Sequence, residues 1–431
     1  MRVLMFSWEF PPLIAGGLGI ACYGIVRSLL DMGIEVDLVL PTKEEVYFPL
    51  RKPSDADELP VQFVSPEKQR EFKKVKFQTV YERLRFVGVT ASPETYETPM
   101  MRDAHVTDYI TVEGEYDESF IRQVEYHIQG TEKIFKKVRE FTFRAELYAR
   151  NLRFDLIHVH DWLTYPAGIV AKKVSGRKLV AHMHATEFDR AGGPGDERIH
   201  KIEYSGMMIA DTVIAVSKFT SELVIDRYHI DTKKIRVVHN AHEFDVETPE
   251  SRRIFKRPTI LFLGRITLQK GPDYFLEAAR LVLNRHPEAR FIMAGSGDME
   301  RKMLHQSAYY RLGSKFLFTG FLNRTEVAEI LASADVYVMS SVSEPFGIAP
   351  LEAMAYGIAS IISKQSGVSE VITNAVKVDY WDVKAIADSI CDLIEDPEKR
   401  KRLAEHGRLE VEKLRWDDAA QKIAAVYKEN V

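Results

Sequence analysis

Two glutamates stand out in the segment SVSEPFGIAPLEAM, which covers residues 341–354. Glu344 and Glu352 lie eight positions apart among residues that are mostly apolar, glycine or proline. Carboxylates are seldom buried without a partner, so this setting points to a bound ligand. Gly347 and Pro350 predict a helix start between the two glutamates, and the free amides of a helix start favour anions. The helix dipole alone would explain Glu352, but it does not explain Glu344.

A ligand that carries both hydroxyl groups and phosphates, such as a sugar nucleotide, would use every part of that segment. A second segment, FLGRITLQKGPDYF, supplies the positive charge that such a ligand needs. Arg265 can bind phosphate oxygens through two parallel hydrogen bonds, and Lys270 adds a compact charge five residues later. Taken alone, the two residues fit a pair of solvated surface cations equally well. The turn AGSGDMER, which contains Gly297, could offer backbone contacts to a base or phosphate.

A glycine-rich segment, PPLIAGGLGIACYGIVRSLL, follows the first predicted strand. Gly16 and Gly17 would let the backbone approach a phosphate closely at the start of a helix. A simple glycine turn that enters a helix is the alternative interpretation. The segment is not a P-loop, because no Gly-Lys-Ser/Thr follows the glycines.

Histidines end two further predicted strands, in HVHDW and in AHMHATEFDR. Residues i and i+2 of a strand share a face, so His158 pairs with His160 and His182 with His184. Four histidines beside Asp161 could bind a metal ion. We expect instead that one or two of these polar residues bond to sugar hydroxyls and that the remainder support the core. The expected metal content is therefore none.

The composition limits the class of protein. A chain of 431 residues is long enough for two domains, and 59 basic against 63 acidic residues give no indication of nucleic-acid binding. The two cysteines, Cys22 and Cys391, form no disulfide or metal spacing, as in proteins of a reducing cytoplasm. No stretch reaches the roughly 20 apolar residues of a membrane span, so we expect no integral membrane association.

Short β-branched runs alternate with helical patterns along the chain, which is typical of parallel α/β sheets. The predicted strands are 2–8, 35–41, 155–161, 178–184, 212–217 and 235–240, then 259–264, 290–295, 315–320, 335–340 and 359–363. The polar stretch from Val246 to Thr259 separates the two series and is interpreted as an interdomain hinge. Ligands of such sheets gather beyond the carboxyl ends of the strands, where all the segments described above lie.

Together these residues resemble the GT-B glycosyltransferases, and within them the retaining group that includes glycogen and starch synthases and sucrose synthase-like enzymes. EFPPLIAGGLG looks like the family's glycine loop, and HVHDW like its HxHDW strand end. GRITLQKG matches the family's Arg-x4-Lys, and EPFGIAPLEAMAYG matches its Glu-x7-Glu. The resemblance covers nearly the whole chain. It implies an α/β protein with two Rossmann-like parallel-sheet domains that face a central cleft.

The domains implied by the resemblance are an acceptor-side domain at 1–245, a nucleotide-sugar-binding domain at 257–412 and a helix at 413–431 that crosses back. Arg265 and Lys270 would neutralise the diphosphate of the leaving group, and Glu344 would hold the donor sugar near the reacting carbon. His184 and Asp161 match residues beside the donor sugar. The residues expected to bind substrate are Gly16, Gly17, Gly297, Phe346, Gly347, Ile348 and, at the ribose, Glu352.

The implied reaction moves an α-glucosyl unit from UDP- or ADP-glucose to the non-reducing end of an α-1,4-glucan, with retention of configuration. It needs no cofactor and no metal, since the nucleotide sugar is a co-substrate. Ala15 replaces a lysine of many bacterial starch synthases, and Glu352 is kept where those enzymes often lose it. Both departures lean toward the sucrose synthase type, whereas SWEFPP, GGLGIACYG and HATEFDR lean toward glucan synthesis.

Several alternatives stay open at this point. Hexosyl transfer to a lipid, a glycoconjugate or a small metabolite would use the same motifs. A sugar-nucleotide epimerase is disfavoured by Glu-x7-Glu, a phosphorylase by the lack of a Schiff-base lysine motif, and a binding-only sensor by the complete set of site residues. The sequence leaves undecided the donor base, the acceptor, the linkage, the oligomeric state and the role of the region from Thr42 to Arg150.

Overall fold

The computed structural model describes residues 1–10, 16–41, 84–88, 133–242 and 257–431. These residues form two sheets in which every strand pairing is parallel. The first sheet has the order β3-β2-β1-β4-β5-β6-β7 and the second the order β10-β9-β8-β11-β12-β13. The predicted class, α/β with two Rossmann-like parallel-sheet domains, is therefore confirmed.

The strands of the first sheet are β1 (Arg2–Phe6), β2 (Glu35–Leu40), β3 (Leu84–Gly88), β4 (Leu156–His160), β5 (Lys178–Met183), β6 (Thr212–Ala215) and β7 (Ile235–Val237). The strands of the second are β8 (Thr259–Leu263), β9 (Arg290–Ala294), β10 (Phe316–Gly320), β11 (Val336–Met339), β12 (Ala359–Ser363) and β13 (Val376–Val378). Each of the eleven predicted runs contains one of these strands. The eleven runs omitted two strands, β3 and β13, the second of which has three residues with a lysine at its centre.

Helices connect the strands and cover both faces of each sheet. In the first half they are α1 (Gly17–Asp31), α2 (Lys133–Asn151), α3 (Tyr165–Ser175), α4 (Glu187–Ala191), α5 (Glu197–Ile209) and α6 (Lys218–Tyr228). In the second half they are α7 (Pro272–Arg285), α8 (Glu300–Tyr309), α9 (Arg324–Ser333), α10 (Ile348–Ala355), α11 (Val368–Val371), α12 (Val383–Glu395), α13 (Pro397–Val411) and α14 (Trp416–Asn430). Within the described ranges, no helix is both long and apolar enough to cross a bilayer.

The last helix, α14, packs on the first sheet rather than on the second. Trp416, Ile423 and Tyr427 share one buried apolar cluster with side chains of α1, β1 and β2. Gly24 of α1 lies under the ring of Trp416, where a Cβ atom would come within 2.4 Å of the ring. The opposite face of the first sheet is covered by α2, α3 and α5, so the sheet is buried on both sides. That double burial explains why its strands are continuously apolar.

Polar contacts join the two domains across the cleft. The Ser217 hydroxyl donates to the carbonyl of Pro345 at 2.6 Å. The carboxylate of Glu370, from α11, accepts the first two backbone amides of α6, at Lys218 and Phe219, and so caps a helix of the other domain. Both contacts lie at the carboxyl ends of the strands. The cleft therefore brings the strand-end loops of the two sheets together.

Two predicted features fall mainly outside the described residues. The expected hinge, Val246 to Thr259, is described only from residue 257 onward, and the loop that contains Ala15 is outside as well. Of the region from Thr42 to Arg150, the structure describes β3 and most of α2. The strand at Leu84–Gly88 extends the first sheet at its edge beyond β2.

Candidate functional site

A partly buried ion pair lies where β11 ends in the second domain. The Nζ atom of Lys270 is 2.5 Å from Oε2 of Glu344, whose side chain is only 9% exposed. The Ser341 hydroxyl donates to the same carboxylate oxygen at 3.0 Å. The partner of Glu344 in the free protein is therefore Lys270. The two sequence segments, which were expected to serve one ligand, are thus in contact through these residues.

The backbone around Glu344 is fixed on both sides. Its amide donates to the carbonyl of Gln365 at 3.0 Å, and its carbonyl accepts the amide of Gly367 at 2.9 Å. The next amide along, that of Val368, donates to Phe346 at 2.7 Å. The loop between β11 and α10 is thus hydrogen-bonded to the start of α11. Such support keeps the carboxylate of Glu344 in one position for a ligand.

A tight turn brings Lys270 to Glu344. Gly271 has a φ of 60°, and a Cβ atom there would lie 2.2 Å from the carbonyl oxygen of Ser340. Only glycine fits this approach of the β8–α7 loop to the end of β11. The hydroxyl of Ser340 donates to the Gly271 carbonyl at 2.8 Å and holds the two loops together. Arg265, in the same loop, has an exposed side chain beside the cleft.

Two helix starts meet across the cleft. Gly17 begins α1, and a Cβ atom there would lie 3.6 Å from the side chain of Ile348, which begins α10. Gly347 precedes α10 with a φ of 105°, and no side chain caps that helix. The amide of Gly16 is 3.2 Å from Oε2 of Glu9, so a carboxylate of the protein lies at the start of α1. A pocket within the second domain is bounded by Lys270, Glu344 and the first turn of α10.

Glu352 lies in the second turn of α10. Like Glu344, it affects the pKa of Tyr337. Burial and the negative charges of both glutamates raise the pKa of Tyr337, whose side chain is almost fully buried in β11. The tyrosine hydroxyl is thus neutral. Binding of a ribose by Glu352 stays a prediction.

The end of β4 contacts the end of β5 through Asp161. This residue has a φ of 57°, a conformation that aspartate tolerates better than most side chains. Its Oδ1 atom accepts the amides of His184 at 2.6 Å and of Ala185 at 3.3 Å. Burial raises the pKa of Asp161 to about 7, against the opposing charge of Arg190. The carboxylate therefore fixes the loop that carries His184.

His184 is a neutral side chain at the cleft end of β5. Burial lowers the pKa of His184 to about 3, and the side chain is 9% exposed. Its Nε2 atom lies 2.9 Å from Nδ1 of His160. The Nδ1 atom has no hydrogen-bond partner among the described residues. A neutral imidazole with a free nitrogen can hydrogen-bond a sugar hydroxyl without adding charge.

Close packing against a neighbouring loop requires glycine at position 297. A Cβ atom there would lie 2.3 Å from the carbonyl oxygen of Ile266, in the loop after β8. The amide of Met299 donates to that same carbonyl at 3.0 Å. The turn after β9 is therefore packed directly on the loop that carries Arg265. Contact of Gly297 with a substrate stays a prediction.

Some residues of the site were not predicted from the sequence. Ser343 donates from its hydroxyl to Oδ1 of Asp189 at 2.5 Å, which joins the Glu344 loop to α4 of the other domain. Asp189 also completes a capping box with Thr186 at the start of α4. The pattern Thr-x-x-Asp indicated that cap, but nothing in the sequence indicated the contact across the cleft.

Comparisons with known proteins match both halves of the chain. Residues 245–410 match the family model described as Glycosyl transferases group 1, and residues 102–245 that of Glycosyltransferase Family 4. An uncharacterized glycosyltransferase of Methanocaldococcus jannaschii is 30% identical, over 99% of this chain and 98% of the relative. The glycogen synthase of Mycobacterium tuberculosis is 25% identical, over 99% of this chain and 94% of the relative. In fold, the chain is similar to the sucrose-phosphate synthase of Thermosynechococcus elongatus, with a TM-score of 0.70 at 20% identity and coverage of 99% and 98%.

Proposed function

The chain belongs to the glycosyltransferases, and from that premise we propose that it is a retaining enzyme that extends an α-1,4-glucan. It would transfer an α-glucosyl unit from UDP-glucose or ADP-glucose to the non-reducing end. The observation that carries the proposal is the partly buried pair of Lys270 and Glu344 beside the start of α10. The pair combines groups suited to a diphosphate and to sugar hydroxyls in one pocket.

The donor diphosphate would bind on the positive side of this pocket. Lys270 lies within the pocket, Arg265 is exposed in the same loop, and the first amides of α10 have no side-chain cap. Cations and free amides of this kind stabilise the charge that develops on a leaving phosphate. We propose that this set makes a metal ion unnecessary for the transfer step. The diphosphate would compete with Glu344 for the ammonium group of Lys270.

The donor sugar would lie between the two domains. Glu344 is buried and rigidly supported, so its carboxylate can accept hydrogen bonds from the sugar hydroxyls. His184 and Asp161 approach from the first domain, where His184 has a free Nδ1 atom among the described residues. Glu352 would hold the ribose. We propose that the acceptor attacks from the face of the departing phosphate, which takes up the acceptor proton, and that this gives retention.

The glucan acceptor is supported by the comparison over the whole chain. The Mycobacterium tuberculosis relative is a glycogen synthase, and it aligns with 99% of this chain. Transfer to a lipid, a glycoconjugate or a small metabolite would use the same donor site. The acceptor therefore has to be identified by experiment.

The test measures release of UDP from UDP-glucose and of ADP from ADP-glucose, with and without a maltooligosaccharide. We expect release that depends on the oligosaccharide, a product lengthened by glucose units in mass spectrometry, and digestion of that product by an exo-acting α-1,4-glucosidase. Activity should not require a metal ion added to the assay. Release that the oligosaccharide does not change would refute the glucan acceptor. An extended product that resists the α-glucosidase would refute the proposed linkage or its configuration.

A further inference from the structure

Four histidines are buried side by side at the ends of β4 and β5. The register of the two strands places His160 directly opposite His182. Ring centroids are 4.3 Å apart for His158 and His160, and 4.2 Å apart for His182 and His184. All four side chains are at most 9% exposed. The cluster lies beneath the cleft, between the sheet and the helices α1 and α14.

Most of the ring nitrogens in this cluster have no hydrogen-bond partner within the described ranges. The unpartnered atoms are Nε2 of His158, Nε2 of His160, both nitrogens of His182 and Nδ1 of His184. A buried polar group left without a partner destabilises the folded state. Native structures seldom tolerate several such groups in one place. A bound ion that takes one nitrogen from each of three rings would satisfy three of these five atoms.

The hydrogen bonds that the cluster does make occupy one nitrogen on two of the rings. His158 is 2.6 Å from the Tyr427 hydroxyl through Nδ1, and His160 is 2.9 Å from His184 through Nδ1. Each therefore uses one nitrogen for a neighbouring residue and leaves Nε2 free. A histidine that ligates a metal likewise binds the ion through one nitrogen and donates the N–H of the other to a second group, which fixes the tautomer.

We propose that His158, His160 and His182 bind one transition-metal ion, with Zn²⁺ as the expected ion. The three residues offer ring nitrogens that lie within 4.8 Å of one another. Bonds of about 2.0–2.1 Å to the ion require the rings to reorient, above all those of His158 and His182, which are stacked with an interplanar angle of 10°. Neutral imidazole is a suitable ligand for zinc. Burial keeps all three neutral by lowering the pKa of each ring.

A second set of three, Cys22 with His160 and His184, suits an ion less well. The hydroxyl of Ser7 donates to Sγ of Cys22 at 3.2 Å, and burial raises the pKa of the thiol. Metals bind the thiolate rather than the thiol. The all-histidine set therefore carries the proposal.

The ion would be structural and would stand apart from the transfer step. Binding at Nε2 of His160 puts the ring proton on Nδ1, which then donates to Nε2 of His184. The remaining proton of His184 is then on its Nδ1 atom, the nitrogen left free for a hydrogen bond. Through His158 the same ion would hold Tyr427, and with it α14, against the first sheet. The proposal does not depend on which sugar or acceptor the enzyme uses.

The test uses the full chain, purified without a metal-affinity tag, and the metal ion alone as the probe. Elemental analysis should find one equivalent of zinc, and Co²⁺ added to chelator-treated protein should give the visible absorption of a site with nitrogen ligands. His182→Asn should abolish both signals. His286→Asn is the matched control, because it alters a second, more exposed group formed by His286, Cys391 and Glu395.

A milder variant keeps the test decisive if His182→Asn does not fold. Tyr427→Phe removes only the hydroxyl beside His158 and should weaken Co²⁺ binding by about 10–100-fold, the usual effect of losing such a supporting contact. Circular dichroism would verify that the variant is folded. The proposal is overturned if wild-type protein contains no zinc and gives no Co²⁺ band, or if His286→Asn removes the signal while His182→Asn keeps it.

Discussion

Replacing Lys270 with methionine would separate two roles of its ammonium group. In the free protein the group is 2.5 Å from the Glu344 carboxylate, with side-chain exposures of 23% and 9%. In the proposed reaction the same group stabilises the departing diphosphate. Methionine keeps much of the length and the apolar stem of lysine, so the variant removes the charge with little change in packing.

Loss of the first role should lower the free energy of unfolding, whereas loss of the second should lower kcat. A hydrogen bond to a charged group contributes about 1.5–3 kcal/mol, so the free energy of unfolding of the second domain should fall by that amount. A cation that stabilises developing charge contributes only during the reaction, and its loss should lower kcat by about 10²–10³-fold. The first effect appears in urea unfolding and the second in nucleotide release.

Lys399→Met is the matched control for this experiment. Lys399 also lies 2.5 Å from a carboxylate, that of Asp392, but both side chains are about half exposed. Exposed pairs contribute about 0–1 kcal/mol, so this variant should keep both stability and turnover. If Lys270→Met lost stability as described but kept wild-type turnover, its ammonium group would have a structural role alone. The assignment of Lys270 to the leaving group would then be wrong.

Three further predictions concern packing and the contacts between domains. Gly24→Ala should destabilise the protein by about 1–3 kcal/mol in thermal unfolding, because the added methyl group meets the tryptophan ring of α14. Gly193→Ala is the control: its methyl group enters open space, so its stability should equal that of wild type. Ser343→Ala removes the hydrogen bond to Asp189 across the cleft and should raise the donor KM about 2–10-fold, without loss of stability in urea. Burial would raise the pKa of Glu370, but hydrogen bonds from a histidine and two backbone amides lower it below 4.5. The ionised carboxylate should therefore add its full stability above pH 4.5, and this stability should disappear as the pH falls through the lowered pKa of Glu370. In acid, the free energies of unfolding of wild type and Glu370→Gln should then become equal.

Each of these predictions has a result that contradicts it. Equal melting temperatures for the two glycine variants would mean that α14 does not pack against α1 as described. An unchanged donor KM in Ser343→Ala would remove the cleft contact from donor binding. A constant difference in unfolding free energy between wild type and Glu370→Gln, from neutral to acid pH, would refute the ionised cap.

The sequence predicted the two sheets because their strands are buried on both faces. Such strands are continuous apolar runs, and the runs at 155–161 and 335–340 could be recognised without any knowledge of their neighbours. The strand β13 escaped prediction because its three residues, with Lys377 at the centre, are too few to form a pattern. Local composition was therefore sufficient for elements that are long and fully buried.

The contacts within the site could not be predicted in the same way. Glu344 and Lys270 are 74 positions apart, and Ser343 and Asp189 are 154 positions apart, so no local pattern connects them. Gly297 shows a different difficulty. A glycine required by contact with a ligand and one required by the Ile266 carbonyl look the same in a sequence.

The position of α14 has a consequence for how the chain is made. The helix belongs to the end of the described sequence, yet it covers α1 and bonds to His158 in the first sheet. During synthesis, α1 and the face of the sheet beneath it therefore stay incompletely covered until the residues after Trp416 have left the ribosome. Apolar surface exposed in this interval favours aggregation and chaperone binding. The first of the two described domains is thus completed only after the second has been translated.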